Sequence, residues 1–139
     1  MDISGLKPSA NRDSAKTYSI RQLSREFGVT ARALRFYEDK KLINPERNGQ
    51  TRIYSARDRA RLKLILRGKR MGFSLIDIQE ILDLYSREDK GATQMRASLD
   101  KYHRQIETLK QQRIDIDHAI QEMAEGCAWM EEQLKKIEP

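Results

Sequence analysis

Between residues 95 and 123 apolar side chains recur at alternating spacings of four and three: Met95, Leu99, Tyr102, Ile106, Leu109, then Ile116, Ile120 and Met123, with Arg113 interrupting the series. This is the heptad period of a coiled coil, and a stripe of that kind on one helix is too narrow to bury itself. It has to be covered by a second helix. Packing on its own domain is one way to achieve that, but the chain offers no other long helix to receive it. The eight residues are therefore read as the interface of a homodimer.

Charge separates the rest of the chain from this seam. Of 139 residues 35% are charged and 38% apolar, which is little core material for one domain and fits a chain whose missing core comes from a second copy. Residues 1–70 hold 18 Lys or Arg and 7 Asp or Glu, net +11, whereas residues 71–139 hold 9 and 14, net −5. A basic half joined to an acidic half is expected where one module meets a polyanion and the other meets something else. No run of about 18 apolar residues occurs, and Asp2, Lys7, Asn11, Arg12 and Asp13 interrupt the start of the chain, so a cytoplasmic protein with no membrane partner is expected. A single cysteine, Cys127, rules out an intrachain disulfide and a multi-cysteine zinc cage within the subunit. No phosphate-binding glycine loop, paired acid constellation or nucleophile triad is legible, so no enzyme, catalytic residue or cofactor is expected.

The order of local signals predicts a mainly α protein. Residues 1–16, with Gly5, Pro8 and several serines, read as an arm. Ser19 is placed to cap a first helix carrying Ile20, Leu23 and Phe27, which Gly28 ends; Thr30 is placed to cap a second carrying Leu34 and Tyr37, with Phe36 read as core. Two short helices across a glycine turn make a helix-turn-helix, whose second helix enters the DNA major groove. Residues 43–55 contain Pro45, the Asn48-Gly49 dipeptide and the strand formers Ile53 and Tyr54, and read as a hairpin, or wing. Ser55 with Asp58 starts a third helix with Leu62, Ile65 and Leu66 on one face, its end loosened by Gly68 and Gly72. Ser74 with Asp77 starts a fourth, with Leu75, Ile78, Leu82 and Tyr85. After a polar break at residues 87–91 comes the seam helix, and residues 126–139 are left for a short helix beyond Gly126.

Arg35-Phe36-Tyr37-Glu38, the wing residues Thr51, Arg52, Ile53 and Tyr54, and Gly72-Phe73-Ser74-Leu75 before the fourth helix occur in order and at the separations found in MerR-type transcription regulators. The chain resembles that family over about residues 17–86, and the following coiled-coil helix fits it too. The resemblance implies a winged helix-turn-helix DNA-binding domain (17–86), an antiparallel coiled-coil dimerisation helix (87–125) and a short effector or packing segment (126–139). Over residues 49–75 the wording looks most like the regulators of branched-chain amino acid or acyl-CoA catabolism in proteobacteria.

Arginine can chelate guanine O6 and N7 or two phosphate oxygens, and a tyrosine hydroxyl anchors phosphate. By resemblance Thr30, Arg32, Arg35 and Tyr37 lie on or near DNA, with Arg35 foremost; Arg35 pairing with Glu38 or Asp39 is the alternative. Arg52 and Tyr54, two apart on a strand, leave from one face and are assigned to phosphates, Tyr54 packing inward being the alternative. Arg57, Arg67, Lys69 and Arg70 complete the basic set. The family further implies an inverted-repeat operator between promoter elements, RNA polymerase as a partner, and a small-molecule effector of unknown identity. Family metal and redox sensors use two or more cysteines at the end of the dimer helix, where this chain has Cys127 alone, and His103 and His118 lie well before it. No metal is expected; Cys127, Trp129, Met130 and Leu134 are the candidate effector residues, for an apolar or acyl ligand. A thiol or metal sensor using Cys127, and a non-regulatory coiled-coil interaction protein, stay open as other readings.

Overall fold

The computed structural model describes residues 16–86 and 91–138; the expected arm and all but the last residue of the expected polar break fall outside them, apart from Lys16. The chain divides into two compact units, Met1–Leu99 and Asp100–Pro139. In order the elements are β1 (Thr17–Tyr18), α1 (Ile20–Phe27), α2 (Ala31–Asp39), β2 (Glu46–Asn48), β3 (Thr51–Ser55), α3 (Ala56–Arg70), α4 (Leu75–Ser86) and α5 (Ala92–Ile137). The fold is mainly α, as the periodicity predicts.

Each short helix begins where a side chain can satisfy an orphan amide. Ser19 and Gln22 form a reciprocal capping box on α1, and Ser55 and Asp58 form another on α3. Thr30 Oγ1 accepts from the Ala33 amide at 3.0 Å, and Ser74 Oγ from that of Asp77 at 3.1 Å. α1 stops at Gly28, which takes φ 64°. α2 stops without a glycine: Lys41 adopts φ 61°, while the Lys41 and Leu42 amides donate to the Glu38 and Tyr37 carbonyls, both at 2.9 Å. That double bond is the Schellman pattern, and it turns Leu42 into the core at the cost of a left-handed lysine.

The sheet has three antiparallel strands in the order β1-β3-β2, so the wing hairpin gains a third strand that periodicity does not reveal. β1 is two residues long and pairs Thr17 with Ser55 and Tyr18 with Tyr54. In the hairpin Asn48 pairs with Thr51, which makes Gly49-Gln50 the turn; Gly49, at φ 66°, is the residue that needs the positive angle. Asp58 ties this region together. Its buried carboxylate accepts from the amides of Asn44 and Ser55, each at 3.0 Å, fixing the segment before the wing to the start of α3.

Leu23 of α1, Leu34 of α2, Tyr54 of β3, Leu62 and Ile65 of α3 and Leu82 of α4 meet in the core, with Leu42 and Ile43 from the loop after α2. Gly68 has the opposite role to the one expected. It lies inside α3, buried, and a Cβ there would stand 2.7 Å from Ile78 Cγ1 of α4. The absent side chain lets α4 approach; Gly72, at φ 84°, is the residue that ends the helix. Arg59 of α3 lies over the rings of Tyr18 and Phe27, at 5.8 and 5.6 Å, and its Nε donates to both carboxylate oxygens of Glu26 at 3.0 Å, joining α3 to α1 and β1.

α5 does not stop at Gly126. It is one helix of 46 residues, carried across the glycine by strong helix formers on both sides: Ala124, Glu125, Ala128, Met130 and Glu131. The alternation of four and three therefore continues through Cys127, Met130, Leu134 and Ile137, in register with the seam. Met95, Leu99, Ile106, Leu109, Ile116, Ile120 and Met123 are exposed within the single chain, as are Met130, Leu134 and Ile137.

Candidate nucleic-acid interface

α2 has two unlike faces. Leu34 and Tyr37 point into the core, whereas Arg32, Arg35, Phe36, Asp39 and Lys40 are exposed, and positions 32, 35, 36 and 39 fall on one side of a helix. Neither Arg32 nor Arg35 forms an ion pair among the described residues. Arg35 does not pair with Glu38, because that carboxylate is already taken. Phe36, expected in the core, is 42% exposed with the Lys40 amine 5.6 Å from its ring centroid, so the accessible face combines cations with one apolar ring and the Asp39 carboxylate. Thr30 is exposed at the start of α2 with its hydroxyl serving as the cap.

Glu38 joins this helix to the wing. One of its oxygens accepts from Arg52 Nε of β3 at 2.6 Å, the other from Arg47 Nη2 of β2 at 3.2 Å. Arg47 and Arg52 are directly opposite each other in the hairpin, where like charges repel. The carboxylate neutralises both. Burial pushes the Glu38 carboxyl up, but the hydrogen bonds from Arg52 and Arg47 outweigh it and hold the group below the usual carboxylate range. Arg52 is correspondingly held above the ordinary arginine value, chiefly by its bond to Glu38.

Two of the expected DNA-facing residues are core residues. Tyr37 is 2% exposed, against the Phe36 ring and under the Lys69 amine, which lies 5.7 Å from its centroid. Tyr54 is fully buried, and its hydroxyl has no hydrogen-bond partner among the described residues. The two-residue period does put Arg52 and Tyr54 on one face of β3, but that face turns toward α2, since Arg52 reaches Glu38 and Tyr54 is enclosed. Burial pushes the Tyr54 phenol above its ordinary value, with the charge of Glu38 adding to it. A buried hydroxyl without a partner costs about 1–3 kcal/mol. Tyr54→Phe is thus expected to raise the melting temperature while leaving duplex affinity unchanged; a drop in affinity would show that the hydroxyl reaches DNA.

The basic set on α3 is spread along the helix. Arg57 is exposed in its first turn, and Lys69 and Arg70 are exposed in its last, with Arg67 half-buried there. Three cations in a last turn also complement the helix dipole, so these side chains have a structural use besides any contact with phosphate. Sequence reasoning missed Glu38 and Arg47. A signal for them exists: positions 47 and 52 are equidistant from the Gly49-Gln50 turn, and two arginines facing each other call for an anion.

At the far end of α5, Cys127, Met130 and Leu134 share the seam face, while Trp129, 65% exposed, projects to another side. Among the described residues no three His, Cys, Asp or Glu side chains come together as a metal site, and no helix is long and apolar enough to cross a membrane.

A helix-turn-helix with exposed arginines on its second helix and a wing fastened beside it defines a DNA-binding protein. Residues 18–85 match the model of the MerR HTH family regulatory proteins, and residues 59–126 match the MerR DNA-binding model. The HTH-type transcriptional regulator HmrR of Rhizobium leguminosarum bv. viciae is 31% identical over 107 residues, covering 73% of this chain and 83% of that one. A MerR family regulator of Bacillus cereus superposes with a TM-score of 0.68 at 28% identity, covering 79% of each chain. HiNmlR, described as a MerR family regulator lacking the sensor domain and solved bound to promoter DNA, has the same fold, with a TM-score of 0.59 at 24% identity over 76% of this chain and 79% of that one. The chain belongs to the MerR family of DNA-binding transcriptional regulators and is not an enzyme. None of these names points to a catabolic pathway, so the comparison establishes the family and not the branched-chain or acyl-CoA subgroup.

Proposed function

We propose that two copies of this chain, joined through α5, grip an inverted-repeat operator, each with one α2 and one wing, and switch transcription by distorting promoter DNA. The observation that carries this reading is the exposed face of α2, where Arg32 and Arg35 have no ion pair among the described residues and a braced wing stands alongside. In this reading Thr30, Arg32, Arg35, Arg52, Arg57, Arg67, Lys69 and Arg70 form the DNA-facing set. The dimer holds two recognition helices at a fixed separation, which an inverted repeat matches. Bending and untwisting such a site costs on the order of several kcal/mol, offset by contacts that the bent DNA permits. RNA polymerase then engages promoter elements set too far apart in straight DNA. The effector is a small apolar or acyl molecule held where the end of α5, with Cys127, Trp129, Met130 and Leu134, meets the neighbouring subunit, and the regulated genes are catabolic; the wording of residues 49–75 supports this last step.

Footprinting on the gene's own upstream region tests the proposal. A protected inverted repeat is expected, with affinity falling about 10³–10⁵-fold between 50 and 200 mM salt if six to ten phosphates are neutralised per dimer. Weak binding without sequence preference would overturn it in favour of a non-regulatory coiled-coil protein.

A further inference from the structure

Glu38 is an anion between the recognition helix and a wing that carries two arginines, and simple electrostatics counts that against binding phosphate. Its geometry suggests why it is there. The two carboxylate oxygens are divided between two arginines, one on each strand of the wing, at 2.6 and 3.2 Å. Only 17% of the Glu38 side chain is exposed, and 20% of that of Arg52, whereas Arg47 is 49% exposed. Arg52 is bound through Nε, the atom nearest its stem, and its two terminal nitrogens have no hydrogen bond among the described residues. A guanidinium held by Nε has lost most of its rotamer freedom while keeping the outer edge of its fork for a second acceptor. The same carboxylate lowers the net charge of the surface, which weakens attraction to any phosphate backbone whatever its sequence.

We infer that Glu38 is a positioning residue that sets specificity: it locks the wing to the recognition helix, aims Arg52, and at the same time suppresses sequence-independent binding. This rests on the DNA-binding reading above. Two effects of opposite sign follow from one residue. Losing the brace weakens binding to the correct duplex, because α2 and the wing no longer arrive in one fixed arrangement. Losing the charge strengthens or leaves unchanged binding to an incorrect one. A residue serving stability alone would shift both affinities together.

The experiment uses a duplex selected from a random pool by the wild-type chain, and a scrambled duplex of the same composition. Glu38→Gln is expected to bind the selected duplex about tenfold more weakly and the scrambled one at least as well as wild type, with faster amide exchange across residues 46–55. Glu38→Asp keeps the charge but shortens the reach. It should lose affinity for the selected duplex without gaining any for the scrambled one. Equal losses on both duplexes, equal gains on both, or no change in their ratio would each overturn the inference. Failure of the wild-type chain to select any duplex would instead remove the DNA-binding reading, and this inference with it.

Discussion

Replacing Arg35 with alanine is expected to cost about 1–3 kcal/mol of operator binding, a loss of between fivefold and somewhat over a hundredfold, with no change in melting temperature. The two halves of that expectation come from one observation. Arg35 is exposed and forms no ion pair among the described residues, so the folded chain gains little from it, and the helix-surface pair with Glu38 that could have occupied it is pre-empted by Arg52. Arg52 is a poorer choice for such an experiment, since its removal also strips Glu38 of its shorter bond and leaves the wing braced through Arg47 alone. The salt dependence of the Arg35→Ala variant separates its two chemistries. A guanine contact leaves the slope of log affinity on log salt unchanged and relaxes preference at one base pair, whereas a phosphate contact lowers the slope by about one and weakens all sequences alike. Full operator affinity in Arg35→Ala would remove the residue from the interface.

The local devices of this fold are legible in the sequence because each acts within a few residues. Ser19, Thr30, Ser55 and Ser74 all cap the helices assigned to them, and Gly28 takes the left-handed angle that ends α1. What escapes a reading of the chain depends on contacts from afar. β1 has two residues and no period of its own; it exists because β3 offers it a pairing edge. Gly68 resembles a helix breaker until Ile78 is seen pressed against it from α4.

The errors at the site have the same origin. Period fixes that Arg52 and Tyr54 share a face, but the packing of α1 and α3 on β3, with Glu38 of α2 reaching Arg52, decides that this face is the inner one. Tyrosine, with an apolar ring and a polar tip, suits either side, and both Tyr37 and Tyr54 fall inward while Phe36, the more apolar ring, is left outside. The DNA-facing surface is therefore less aromatic than the motif suggests, and of its anions Glu38 is spent inside the wing contact while Asp39 stays exposed beside the arginines of α2.

Placing aspartate at both Ile106 and Ile116 is expected to convert the protein to monomers at micromolar concentration. The two side chains are 45% and 58% exposed in the single chain, so about half of each is left for another helix to cover. Fully burying an exposed isoleucine is worth about 1.5–3 kcal/mol, and about half of each of these is left to bury, so four lost from a twofold interface amount to about 3–6 kcal/mol, before the cost of bringing carboxylates into the seam. A nanomolar dimer is held by about 12 kcal/mol, so a loss of that size, with the buried carboxylates added to it, moves its dissociation constant into the micromolar range or beyond. The seam also has a preferred direction. Side by side in parallel, two copies of Arg113 would meet at one level with like charges in the interface, whereas antiparallel helices set each against a different residue. With the α5 alternation running in register to Ile137, the expected interface extends past the eight residues first assigned to it, and Cys127, at a seam position, is not opposed by its own copy unless it lies at the dyad. Sedimentation of the double variant should give the mass of one chain, with helical content largely retained and operator binding lost; a dimer that persists would mean that α5 is covered by something other than its own copy.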